Sequence, residues 1–189
     1  MKDMRVGIIG CGSMAGFHYN GFTKAGAKVI ALSDTNIDQA KQFGVSRGIT
    51  NIYTNSSEML KAHPELDAVS IIVPNKFHYP LAMEALHAGK HVFCEKPPAL
   101  NAKEMSEILV LSRKAGKIVM FNFNNRARPE AQAIFNYIKD GKAGTINSAQ
   151  ATWIRRAGIP GFGGWFTNKA LSGGGPVVDL PHMMDLALY

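Results

Sequence analysis

Residues 4–16 read MRVGIIGCGSMAG, and this stretch decides the fold. The apolar run over 4–9 reads as a buried strand; Gly10, Gly12 and Ala15 follow as G-x-G-x-x-A, with Gly16 behind them, and open a helix predicted over 14–25. Each small residue has a mechanical reason. Gly10 permits the tight turn, Gly12 leaves room for a pyrophosphate to touch the backbone, and Ala15 or Gly16 lets the helix pack close to the sheet. The N–H groups opening the helix, at Ser13 and Met14, face an anion at the positive end of the helix dipole. A glycine turn also occurs where a strand needs only a sharp exit, so the surroundings must decide between the two.

They favour a dinucleotide. A second strand over 28–34 ends at Asp34, 24 residues after Gly10, close to the roughly 20-residue spacing at which an acid hydrogen-bonds the adenosine ribose. Asp34 also suits a cap for the helix starting near Asn36, and both roles can hold together. Its carboxylate would face the 2′-phosphate of NADP, a repulsion of about 4 kcal/mol per unit charge at about 4 Å and an effective dielectric near 20. Ser33 and Thr35 supply no compensating cation, and the nearest base downstream is Lys41. The expected cofactor is therefore NAD rather than NADP.

Outward from the turn, short apolar runs alternate with helical periodicity. Helix 36–43 closes at Gly44, a short strand covers 49–53, and Ser56 or Ser57 caps a helix over 57–62. The run AVSIIV at 68–73 is a core strand stopped by Pro74-Asn75, and a helix over 78–88 ends before Gly89. Strand 92–94 runs into Glu95-Lys96-Pro97, Asn101 caps a helix to residue 115, and strand 117–121 completes six. This predicts an α/β fold, a Rossmann-type doubly wound parallel sheet over 1–121. The remainder, 122–189, reads as the beginning of an α+β second domain, incomplete at its end, with a helix over 130–140 and a strand over 145–155. Seven of the eighteen residues 158–175 are glycine, which suits a linker, yet Ile159, Phe162, Trp165 and Phe166 suggest a backbone lying close to something.

Composition excludes several classes. With 46% apolar and 19% charged residues the chain can bury a core and is not disordered. The net charge of +7 comes from scattered basic pairs without a basic run, so nucleic acid is not the expected partner. Five glycines and polar residues interrupt the uncharged stretch 6–23, so no membrane span or leader is expected. Cys11 and Cys94 are far apart, which fits a reducing cytoplasm rather than a disulfide framework, and the histidines show no metal-ligand spacing.

Six motifs in order carry a resemblance over the whole chain: GCGSMAG at 10–16, VPNKFH at 73–78, EKP at 95–97, FNNR at 123–126, RRAGIPGFGGWF at 155–166 and SGGGPVVDLPHMMD at 172–185. Together they resemble the Gfo/Idh/MocA oxidoreductases, the group that includes glucose-fructose oxidoreductase and inositol dehydrogenase. The resemblance implies hydride transfer between nicotinamide and a CH–OH group of a sugar, cyclitol or related polyol by a homo-oligomer. It also implies a longer protein, of which this chain would be a piece truncated in its second domain.

The resemblance carries roles onto single residues. Lys96 reaches the reacting hydroxyl and the cofactor, with Glu95 beside it and Pro97 fixing its direction by a cis peptide; an ordinary surface lysine is the plain alternative. His182 is the general base and Asp179 orients it or holds a substrate hydroxyl. Relatives commonly separate that pair by four positions, whereas here it is three, with Pro181 between. On one helix both offsets share a face, but they approach from opposite sides. The spacing of His182 to Asp185 matches the family's H-x-x-D, and a packed or capping histidine is the alternative. Pro74, Asn75 and His78 lie along the cofactor, although His78 equally suits a helix start. Trp165 packs near the nicotinamide, and Asn124, Asn125 and Arg126 meet substrate or cofactor. Two further functions stay open: an NAD-dependent glycoside hydrolase of the same family, which cleaves without net NAD reduction, and a non-catalytic NAD-binding regulator.

Overall fold

The computed structural model of the chain describes residues 4–154, 164–174 and 181–189, and it divides into two units, Met1–Phe121 and Asn122–Tyr189. Among the described residues of the first unit, six runs form strands: β1 (Arg5–Ile9), β2 (Lys28–Ser33), β3 (Ile52–Tyr53), β4 (Ala68–Ile71), β5 (His91–Cys94) and β6 (Val119–Phe121). All neighbours pair in parallel, in the order β3-β2-β1-β4-β5-β6. Parallel neighbours need crossovers. These are α1 (Ala15–Lys24), α2 (Ile37–Val45), α3 (Ser56–Ala62), α4 (His78–His87) and α5 (Ala102–Ala115).

Successive strand residues point to opposite faces. Ile8, Leu32 and Ile72 pack with Ala15 of α1 and Ala40 of α2 in one buried cluster. Ile9, Ala31 and Ile71 pack with Met59 of α3, Leu86 of α4 and Ile108 of α5 in the other. Two covered faces explain why β1 and β4 bury residues on both sides, Ile8 and Ile9 in one and Val69 and Ser70 in the other, rather than at alternate positions only.

Helix ends follow side-chain chemistry. Asn101 accepts from the Glu104 N–H at 3.0 Å while the Glu104 carboxylate accepts from the Leu100 N–H at 3.0 Å, and Gly116 closes α5 at φ +63°. The cap of α3 is Asn55, whose side chain accepts from the Ser57 N–H at 2.7 Å, rather than either serine. Nor does Gly44 close α2. The helix runs through it to Val45, and a Cβ there would meet the Ile49 carbonyl oxygen at 2.6 Å, so glycine is needed for close packing. Gly44→Ala is accordingly expected to cost about 1–3 kcal/mol, measured as a lower urea midpoint with an unchanged slope.

In the second unit α6 (Pro129–Lys139), α7 (Lys169–Ser172) and α8 (His182–Leu188) are helical. The strand expected over 145–155 does not form within 145–154: these residues are exposed, and no other strand of this unit is present among the described residues to complete a ladder. No described helix is long and apolar enough to cross a membrane.

Candidate active site

Strand order reverses between β1 and β4, and the loops at the carboxyl ends flanking that point form the crevice where open α/β sheets bind ligands. The glycine turn leaves β1 at this edge. Gly10 has φ +95°, and its N–H donates to the Ser33 carbonyl at 2.8 Å. A Cβ at Gly10 would lie 2.0 Å from the Ile72 carbonyl oxygen, so the turn runs against the end of β4. Gly12 differs: a Cβ there would meet only Gln39 Nε2, at 3.7 Å. Ala15, fully buried, provides the close helix–sheet contact, whereas a Cβ at Gly16 would make an ordinary contact with Arg47 at 3.6 Å.

The N–H groups of Gly12, Ser13 and Met14 form no hydrogen bond among the described residues, and Ser13 and Met14 are exposed. Three such donors at the start of α1, beside an open Gly12, fit a diphosphate by charge and by shape. The Cys11 thiol is pushed up to about 12, chiefly by burial and then by Asp34, with Arg47 opposing. It therefore stays neutral and adds no negative charge to the turn.

Asp34 does not cap α2 itself. Oδ1 accepts from the Asn36 N–H at 2.8 Å, Oδ2 accepts from the Cys11 N–H at 2.7 Å, and the cap of α2 itself is Asn36, bonded to the Gln39 N–H. The carboxylate thus links the glycine turn to the loop after β2, and its remaining lone pairs can accept from ribose hydroxyls. Lys41 is not the cation that approaches the turn. Arg47 lies over the Phe43 ring at 3.8 Å and donates to the Phe43 carbonyl at 3.0 Å, lining an open cleft of about 350 Å³ with Cys11 and Gln39.

Pro74 and the buried Asn75 follow β4, and Glu95-Lys96-Pro97 follows β5, with Lys96-Pro97 in the cis form. The Glu95 N–H donates to the Ile71 carbonyl at 2.9 Å, which fixes this turn beside the end of β4. His78 does not lie open to a cofactor. It is fully buried, with Nδ1 2.7 Å from the Pro97 carbonyl and Nε2 2.9 Å from the Val73 carbonyl. Burial pushes its ring below the ordinary imidazole value, against the pull of the two carbonyls. Held between the two carbonyls, the ring braces the turn.

Sequence reasoning missed His18. On the sheet-facing side of α1, three residues after Ala15, it is 5% exposed, with Nδ1 2.8 Å from Ser70 Oγ and Nε2 2.8 Å from Glu95 Oε1. The signal was present, because a serine inside the apolar run AVSIIV must find a polar partner when buried.

In the second unit His182 begins α8, buried with its ring edge-on to Phe123 and Trp153, each at 6.2 Å. The helix opens after Pro181, and Asp179 lies outside the described residues, as does most of RRAGIPGFGGWF. Trp165 sits in a short 3-10 turn, 37% exposed. Arg126 is committed elsewhere: its Nε donates to Asp185 Oδ2 at 2.8 Å, and the guanidinium lies over the Tyr189 ring at 4.7 Å. Asp185 holds the Arg126 value above its ordinary one. The fork thus ties the 124–127 turn to α8.

Residues 4–123 match the family model described as "Oxidoreductase family, NAD-binding Rossmann fold". The chain belongs to the Gfo/Idh/MocA family. It is 36% identical over its whole length to 54% of the D-glucoside 3-dehydrogenase of Escherichia coli K12. It resembles the crystal structure of an NAD binding oxidoreductase from Klebsiella pneumoniae, with TM-score 0.82 and 29% identity over 98% of this chain and 52% of that one. A second solved relative is the Lactobacillus casei scyllo-inositol dehydrogenase with bound NAD(H) and scyllo-inositol, with TM-score 0.70 and 25% identity over 77% of this chain and 43% of that one. The chain spans about half the length of the curated relatives it matches. As a Gfo/Idh/MocA member it carries its family's NAD-binding Rossmann fold, with the glycine turn and the Glu-Lys-Pro turn on one sheet edge.

Proposed function

We propose that this chain carries the NAD site and the catalytic residues of a dehydrogenase moving hydride between nicotinamide and a CH–OH carbon of a sugar, cyclitol or related polyol. The observation that supports it most is Lys96 at the carboxyl end of β5, one strand from the β1–β4 crevice that suits the dinucleotide. The names of the relatives narrow the class: a glucoside and scyllo-inositol share secondary hydroxyls on a six-membered ring. We infer a pyranoside or cyclitol oxidised at a ring carbon.

Gly10 shapes the turn, while the N–H groups at Gly12, Ser13 and Met14 would hold the diphosphate and Asp34 the adenosine ribose. Pro74, Asn75, Glu95 and Trp165 would line the cofactor. NAD, when bound, supplies the ring carbon that takes up or returns the hydride. Lys96 hydrogen-bonds the substrate oxygen as its carbon loses hydride, and His182 accepts the hydroxyl proton as general base. Asp179 orients His182 or holds a neighbouring hydroxyl. The same reading carries assembly as a homo-oligomer and a cytoplasmic setting, in line with the buried free thiols of Cys11 and Cys94.

The test is to incubate the chain with NAD and methyl β-D-glucoside or scyllo-inositol and follow NADH. NADH formation is expected, with NADP slower by about tenfold or more because of Asp34. Glycoside cleavage without NADH would mean the hydrolase instead. Dinucleotide binding with neither reaction would leave an NAD-binding regulator.

A further inference from the structure

We propose that His18 is a positioning residue for Lys96, acting through the Glu95 carboxylate, with Ser70 setting the tautomer in which it does so. The proposal rests on the catalytic role given to Lys96 above. Three polar side chains from α1, β4 and the turn after β5 meet on the sheet face that α1 covers. Ser70 is fully buried, and the side chains of His18 and Glu95 are 2% and 12% exposed. The Phe93 ring lies 5.3 Å from His18. Burying these groups is tolerable only when each is bonded, and one neutral arrangement satisfies the chain. The Ser70 hydroxyl donates to Nδ1, and Nε2–H donates to Glu95 Oε1, both over 2.8 Å. Glu95 Oε2 then accepts the Lys96 N–H at 3.2 Å.

The chain therefore ends on the backbone of Lys96 itself. From the other side the Pro97 carbonyl meets His78 Nδ1 at 2.7 Å. Two histidines, from α1 and α4, thus grip the residues on either side of Lys96. Glu95 has a flexible side chain, and the bond to His18 holds its Oε1 toward α1. Fixing a reacting group in place is where such a brace acts, since a misplacement of about 1 Å costs on the order of 100-fold in rate.

His18→Asn and His18→Gln separate the two bonds. Asparagine places its amide near Nδ1 and reaches Ser70 only, whereas glutamine places an N–H near Nε2 and reaches Glu95. Lys96 amide exchange by NMR, NADH affinity by fluorescence titration, and kcat with NAD and methyl β-D-glucoside are measured on the whole chain. With His18→Asn, Lys96 exchange is expected to quicken and kcat to fall, each by about tenfold, with NADH affinity little changed. His18→Gln is expected to restore both. Unchanged Lys96 exchange in His18→Asn, or equal loss in the two variants, would overturn the proposal. Should the parent chain oxidise no glucoside, the proposed function fails while Lys96 exchange and its rescue still decide this one. The nitrogen-15 spectrum of the parent provides a reading that needs no variant to fold: His18 is expected as the Nε2–H tautomer, and the Nδ1–H tautomer would overturn the assignment.

Discussion

Lys96→Ala is expected to lower kcat for ring-carbon oxidation by about 10²–10⁴, the range for removing a positioned proton donor or acceptor. NADH affinity is expected to change little, because the groups proposed to hold the diphosphate and the ribose lie on the loops after β1 and β2 rather than after β5. Lys96→Arg sharpens the result. A guanidinium keeps the charge but is planar, forked and unable to give up its proton near neutrality. If charge alone steadies the substrate oxygen, arginine recovers most of kcat. If a compact ammonium is needed at that point, Lys96→Arg stays nearly as slow as Lys96→Ala. Stopped-flow NADH formation under saturating glucoside reads the chemical step directly. A parent-like kcat in Lys96→Ala would remove Lys96 from the reaction and leave the turn a structural feature.

The division between what was legible in the sequence and what was not follows the range of the interactions. The six strands and their order in the chain were legible because apolar runs and helical periodicity are local, and Asn101 marks the start of α5 by chemistry within four residues. The glycine turn and Asp34 were legible because their spacing is set by one strand, one helix and the next strand. Gly44 was misread because its reason is long-range packing: the chain returns at Ile49 to lie against it. His18 was missed because its partners are 52 and 77 residues away and only the sheet brings them together. His78 starts α4, as one of its two readings had it, but its burial against the Pro97 carbonyl was not legible because it depends on how β5 exits beside β4. The strand foreseen over 145–155 had suitable residues and no neighbour to pair with among the described residues, and strand formation depends on the neighbour. The Lys96 neighbourhood follows from the resemblance and from topology together, as the motif names the residues and the parallel order brings their loops to one edge.

Gly10 and Gly12 stand two residues apart, and their alanine variants are expected to fail in opposite ways. At Gly10 the backbone has φ +95°, and an added Cβ would fall 2.0 Å from the Ile72 carbonyl oxygen, a main-chain atom that cannot swing aside. The left-handed strain and the overlap together are expected to cost about 2–5 kcal/mol. That loss lies in stability itself, visible as a lower thermal midpoint with or without nucleotide. At Gly12 an added Cβ meets only the end of Gln39, at 3.7 Å, so stability is expected to hold. The methyl instead fills the space through which a diphosphate reaches the N–H groups at the start of α1. Losing one hydrogen bond to a charged group corresponds to about 1.5–3 kcal/mol, so NADH affinity is expected to fall by about 10–100-fold. Thermal melts with and without NADH separate the two effects, because a ligand stabilises only a fold that binds it. Gly10→Ala should melt early and still gain stability from NADH at temperatures where it is folded, while Gly12→Ala should melt like the parent and gain little. If Gly12→Ala keeps full NADH affinity, the turn is only a sharp exit from β1, and the assignments at Ser13, Met14 and Asp34 fall with it.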